Sequence, residues 1–150
     1  MSTTAIAHPI LSVESLLGGK RVLQAKPRTA LDWVSVIRQG ISSAAVDSLA
    51  KTLRVTHSEL AVALGIPERT LARRKKEGLL NSEESAKLVR LARVVERAEE
   101  VFEDLEAALT WLKTPNAALF RASPLSLLDT DIGAESVMDT LGRIEHGVFA

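Results

Sequence analysis

Between positions 69 and 76 five of eight residues are cationic: Arg69, Arg73, Arg74, Lys75 and Lys76, interleaved with Thr70, Leu71 and Ala72. A guanidinium can grip a guanine edge or a phosphate with two parallel N–H bonds, an ammonium neutralises phosphate as a point charge, and a threonine hydroxyl can serve either. The chemistry on offer is recognition of nucleic acid. A solvated helix face is the plain alternative, since most Lys-Arg runs are no more than that. Charge elsewhere in the chain favours recognition. The total is zero, but residues 1–80 hold 12 Lys and Arg against 6 Asp and Glu, and residues 81–150 hold 7 against 13. A basic half and an acidic half suggest two jobs.

Catalysis is poorly served by comparison. The three histidines, at 8, 57 and 146, are far apart, and no His-Glu-x-x-His pair occurs. With no cysteine, a conventional metal site lacks ligands. His57 reads as an exposed residue of a first helical turn. Gly18-Gly19-Lys20 lacks the spacing and the following Ser or Thr of a phosphate-binding loop and reads as a flexible bend. Glu96, Glu99, Glu100, Glu103, Asp104 and Glu106 fall largely opposite an apolar seam, as on a solvated face, and no nucleophile-elbow pattern supports a triad. No catalytic residue, metal or cofactor is predicted, and an enzyme is not expected.

The cationic run needs a scaffold, and the flanking sequence supplies one. Thr56-His57-Ser58-Glu59 has the form of a capping box, followed by Leu60, Ala61 and Leu64 at helical spacing and then Gly65. Ile66-Pro67-Glu68 restarts the chain with Pro67 at or near a first turn, and Leu71 is the only large apolar residue before Gly78. Two short helices joined by a tight turn are predicted. With Leu71 inward, steps of about 100° put Arg69, Arg73 and Lys76 within about 40° of the opposite face. Thr70 and Ala72 lie beside them, while Arg74 and Lys75 fall nearer the buried side and suit phosphates.

Upstream, residues 1–28 show no sustained periodicity and read as a mobile arm with a short helical turn near Val13 to Leu17. Thr29 and Asp32 have capping-box spacing ahead of a helix with Leu31, Val34 and Ile37 on one face and Gly40 as its stop. A second helix follows over 43–53 with Val46, Leu49, Ala50 and Leu53 inward. Downstream, Leu88, Leu91, Val95, Ala98, Phe102, Leu105, Leu109 and Leu112 alternate three and four apart. Such a seam can be a coiled coil, or a long helix and a shorter one in a single core with Asp104 capping the second; the latter is preferred. Pro115, Pro124 and Gly133 punctuate the rest, and Val137, Leu141 and Ile144 mark a last helix. No stretch alternates with period two, so the fold class is all-α. A 46% hydrophobic share is ample for a core. Without cysteines, a signal peptide or an apolar run near the roughly 20 residues of a membrane helix, a cytoplasmic protein with no membrane partner is expected.

Ala61, Gly65 and Leu71, small at a crossing, reversing the chain and seating the second helix, resemble the helix-turn-helix of Xre and Cro-like DNA-binding proteins. The C-terminal third is similar to another known unit. Trp111-Leu112, Pro115-Asn116, Leu119, Pro124-Leu125, Leu127-Leu128, Thr130, Gly133, Val137, Leu141 and the run from Arg143 to Phe149 resemble the toxin-binding domain of the Xre/MbcA/ParS antitoxins. Arg38, Gly40, Arg69-Thr70-Leu71, Arg73-Arg74, Leu80 and Ser82 fit the same family in order. The resemblance implies an antitoxin that covers the active site of a RES-domain, NAD⁺-consuming toxin and represses its own operon through operator DNA. A homodimer, or a higher hetero-oligomer with the toxin, is also expected, since one short recognition helix reads only a few base pairs. The expected division is an arm at 1–28, a helix-turn-helix domain at 29–81, a connecting long helix at 82–103 and a toxin-binding domain at 104–150.

DNA contacts are expected from Arg69, Thr70, Arg73, Arg74, Lys75 and Lys76, and toxin contacts from Arg143, Glu145, His146, Val148 and Phe149. Val148 and Phe149 have little of their own domain left to pack on after Gly147, so either a partner pocket buries them or they fold back on Trp111 or Leu141. The sequence departs from the family at Phe120-Arg121-Ala122, where Gly-Gly often follows the Ala-Leu pair, so the loop before Pro124 is expected to bend differently. A transcription regulator whose C-terminal domain binds a small ligand or only dimerises is the alternative reading.

Overall fold

The computed structural model describes residues 12–147. Nine α-helices lie within them: α1 Val13–Leu16, α2 Gly19–Leu23, α3 Ala30–Gln39, α4 Ala44–Leu53, α5 His57–Leu64, α6 Glu68–Glu77, α7 Ser82–Phe102, α8 Leu105–Lys113 and α9 Asp131–Glu145. Two 3-10 turns, Ala117–Leu119 and Pro124–Leu127, join α8 to α9. Among the described residues β structure is limited to two isolated bridges, Ser42 with Leu79 and Asn116 with Ala122. The fold is all-α. No helix among these residues is long and apolar enough to cross a membrane.

Local sequence chemistry sets most of the boundaries. Thr29, Thr56 and Asn81 each accept from the backbone N–H three residues on, and Asp32, Glu59 and Glu84 reach back to the cap amides. Helix α7 ends where Glu103 turns left-handed at φ 54°, and α8 restarts with the Asp104 carboxylate accepting from the Ala107 N–H at 2.9 Å. The seam is thus a long helix and a shorter one folded into the same core, and a continuous coiled coil is ruled out.

Helix α7 is the spine. It packs against α1, α3, α5, α8 and α9, and Leu88, Leu91, Ala92, Val95 and Ala98 are wholly buried. The buried apolar residues form one cluster running from Val13 to Leu141. Gly133 fixes the approach of α9 to the turn before it, since a Cβ there would lie 1.8 Å from the Leu127 carbonyl oxygen.

Two expectations are corrected. The mobile arm does not extend from 1 to 28: Val13, Leu16 and Leu17 are buried, the Val13 N–H donates to Glu96 Oε2 at 3.0 Å, and the Ser48 hydroxyl donates to the Leu16 carbonyl at 3.0 Å. Three apolar side chains in five residues are too few to register as periodicity and enough to dock. Residues 1–11 of that arm lie outside the described residues. Helix α3 also turns a different face inward. Trp33, Val36 and Ile37 pack on the core, whereas Leu31 is 79% exposed and Val34 is exposed as well. At about 100° per residue those three sit near 200°, 140° and 240° from Leu31, so the bulky Trp33 pulls the buried stripe away from it.

Candidate DNA-reading helix and partner-binding half

Helix α5, the turn at Gly65 and helix α6 form a helix-turn-helix. Gly65 closes α5 at φ 73°, Ile66 is buried, and the Pro67 carbonyl accepts from the Leu71 N–H at 3.0 Å. Leu71, 2% exposed, is the one buried residue of α6 and sets its rotation. Arg69, Ala72, Arg73, Lys75 and Lys76 consequently lie on the solvent side, with Thr70 half-buried. Lys87 Nζ donates to the Gly65 carbonyl at 3.1 Å, tying the turn to α7.

The cations of α6 fall into two groups. Arg69 and Lys76 have no ion pair among the described residues, and Arg73 approaches Glu77 only at 4.0 Å. Arg74 instead donates from Nε to Glu84 Oε1 at 2.7 Å and from Nη1 to Glu77 Oε1 at 2.9 Å. Glu84 is buried, which pushes its carboxyl up; the Arg74 bond and the Asn81 N–H outweigh that and hold it below the ordinary range. Lys75 Nζ lies 3.2 Å from Asp47 Oδ1, which also meets His57 Nε2 at 2.6 Å. Partial burial raises the Asp47 carboxyl, but the His57 and Lys75 bonds hold it low. Arg74 and Lys75 therefore clamp α6 to α7 and α4, a role the sequence reading of both as phosphate contacts did not include. The partners lie 10 and 28 positions away, beyond any local pattern.

In the C-terminal half, Arg97 grips Glu145 with Nη1 at 3.1 Å and Nη2 at 2.5 Å, and reaches Glu100 with Nη1 at 3.0 Å. That fork holds the Glu145 carboxyl below its ordinary range. Glu145 thus pairs first with its own chain. His146 caps α9 and Arg143 is exposed, without an ion pair among the described residues. Val148 and Phe149 lie outside the described residues. Arg90, which the sequence reading did not single out, donates from Nε and Nη2 to the Leu128 carbonyl and pairs with Asp131 at 2.7 Å, pinning the start of α9 to α7. The loop before Pro124 keeps a glycine-like path, because Phe120 and Arg121 both adopt positive φ, 55° and 68°. The expected different bend is not seen in these two torsions.

Comparison with known proteins agrees with this two-part layout. Residues 32–93 match the antitoxin Xre-like helix-turn-helix domain, and residues 97–147 match the antitoxin Xre/MbcA/ParS C-terminal toxin-binding domain. The chain is 40% identical over 119 residues to an antitoxin Xre of Yersinia enterocolitica, covering 78% of this chain and 80% of that protein. It is 32% identical over 118 residues to an antitoxin Xre of Photorhabdus laumondii, covering 77% and 80%. A chain from the crystal structure of the M. tuberculosis MbcT–MbcA toxin–antitoxin complex has the same fold, with a TM-score of 0.54 at 23% identity over 72% of this chain and 96% of that one. With both domain descriptions matched in order and two relatives above 30% identity over most of their length, the chain belongs to the Xre family of toxin–antitoxin antitoxins.

Proposed function

We propose that this antitoxin neutralises a RES-domain toxin that consumes NAD⁺ by seating its C-terminal half over the toxin's active site, and that it represses its own operon through α6. The observation that carries the reading is the pairing of a toxin-binding domain at 97–147 with a helix-turn-helix whose Arg69, Arg73 and Lys76 face solvent. Arg69, Thr70, Arg73 and Lys76 read base edges; Lys75 reaches phosphate only by leaving Asp47, and Arg74 acts chiefly by orienting the helix. The protein binds DNA as a dimer, because one short helix reads few base pairs. Arg143, Glu145 and His146 contact the toxin at the rim, with Val148 and Phe149 entering its nucleotide pocket. DNA contacts arise from the surface of 29–81 and toxin contacts from 104–150, and α7 is shared by both.

The MbcT–MbcA likeness supports a toxin partner. The experiment is co-expression with the toxin encoded beside it, followed by purification on a tag carried by the toxin and a band-shift with the operon's own promoter fragment. The expected result is a stable complex and a discrete shift. A toxin that purifies alone would remove the first half of the reading, and binding no tighter than to unrelated DNA would remove the second.

A further inference from the structure

Phe120 is the most exposed large apolar residue among those described, at 98%, and it does not hang on a slack loop. Residues 116–122 are clamped from both ends. The Asn116 N–H donates to the Ala122 carbonyl at 3.0 Å, the Arg121 N–H returns to the Asn116 carbonyl at 2.8 Å, and the Asn116 side chain accepts from the Ala118 N–H at 2.8 Å. Leu119, in the core cluster, and the buried Pro124 anchor the loop. At the tip, Phe120 and Arg121 take consecutive left-handed conformations, which L side chains rarely adopt and glycine adopts without penalty.

Among the described residues neither side chain has a partner. An aromatic ring in water, held on a strained and hydrogen-bonded corner, costs stability twice, once in the backbone and once in unburied apolar surface. Such a residue is explained by something that covers it. The corner lies inside the span matched by the toxin-binding domain, which identifies the occupant as the toxin rather than a second copy of this chain. Arg121 beside the ring, exposed and without an ion pair among the described residues, sets the polarity of the surface it meets.

We infer that the Phe120-Arg121 corner is a preformed anchor for the toxin: the ring fills an apolar depression on it, and the guanidinium meets a carboxylate on the rim of that depression. The anchor rests on the antitoxin–toxin reading above. It is distinct from the Arg143 to Phe149 tail and confers affinity and partner choice, while the tail blocks chemistry.

The test is Phe120→Gly in the full chain, with Phe120→Leu beside it. Glycine relieves the left-handed strain, so the melting temperature of Phe120→Gly holds or rises. Its affinity for the purified toxin, read by calorimetry, falls about tenfold to a hundredfold, the equivalent of losing one buried aromatic side chain. Phe120→Leu recovers part of that loss. A Phe120→Gly variant that melts like the wild type and binds toxin within twofold of it overturns the anchor while leaving the antitoxin reading intact. Wild-type protein that fails to bind toxin at all overturns both. Loss of self-association in Phe120→Gly, seen by sedimentation without toxin, assigns the corner to a second copy and overturns the toxin anchor.

Discussion

Arginines on α6 and arginines on α7 have the same chemistry and opposite fates. Arg90 and Arg97 are 21% and 25% exposed, lie along the core-packed spine, and are each fixed by a carboxylate from α9 or its first turn. Arg69 and Arg73 project from a helix so polar that only Leu71 is buried, and no short ion pair among the described residues restrains them. Arg74 belongs with the first group although Arg73 beside it belongs with the second. An arginine is therefore structural or left free at the surface according to which carboxylate the fold brings within reach, and a run of cations in the sequence does not tell the two apart.

The most disruptive way to break this comparison is to remove the spine. A fragment ending at Asn81 loses the α7 face that covers α1, α3 and α5, and with it Leu88, Leu91 and Val95. It should be largely unfolded at 25 °C by circular dichroism; a cooperative melt above about 45 °C, in the ordinary range for small domains, would show that the helix-turn-helix stands alone. Next in size is the Arg69, Arg73 and Lys76 triple Ala variant. Each contact is worth about 1 to 3 kcal/mol if it reaches a base, so operator affinity should fall at least a hundredfold with melting little changed. Arg74→Ala should do the reverse. It leaves Glu84 without its main partner at a largely buried site and should cost about 2 to 3 kcal/mol of stability, with DNA affinity per folded molecule falling far less than in the triple variant.

A smaller effect is expected with pH. Glu84, Asp47 and Glu145 all titrate below their ordinary values in the folded chain, so their stabilisation is complete above the unfolded carboxylate range, near pH 4 to 4.5, and is lost as pH falls through the lower folded values. Denaturant midpoints should drop below about pH 4.5, and less steeply in Glu84→Gln. A slope unchanged by that substitution would take Glu84 out of the acid response.

The sequence carried the fold well where the signal is local. The boxes at Thr29 and Thr56, the turn at Gly65 and the single inward Leu71 needed only a few consecutive residues to read. It carried the site less well, because the facts that sort its residues are distant. The partner of Arg74 is on the next helix, that of Lys75 is on α4, and that of Glu145 is Arg97, 48 positions away. Docking of Val13 to Leu17 and the rotation of α3 about Trp33 are likewise decided by what α4 and α7 place opposite them. Phe120 was visible in sequence only as a departure from a glycine pattern, and its meaning waited on two torsion angles.

The measurement closest to the central claim is NAD⁺ consumption by the purified toxin, titrated with the full chain and, in parallel, with the Arg69, Arg73 and Lys76 triple Ala variant. The account predicts that both abolish NAD⁺ loss at near-stoichiometric ratios, since neutralisation belongs to the α7-to-tail surface and owes nothing to the α6 cations. NAD⁺ loss that continues in excess wild-type chain would contradict the account.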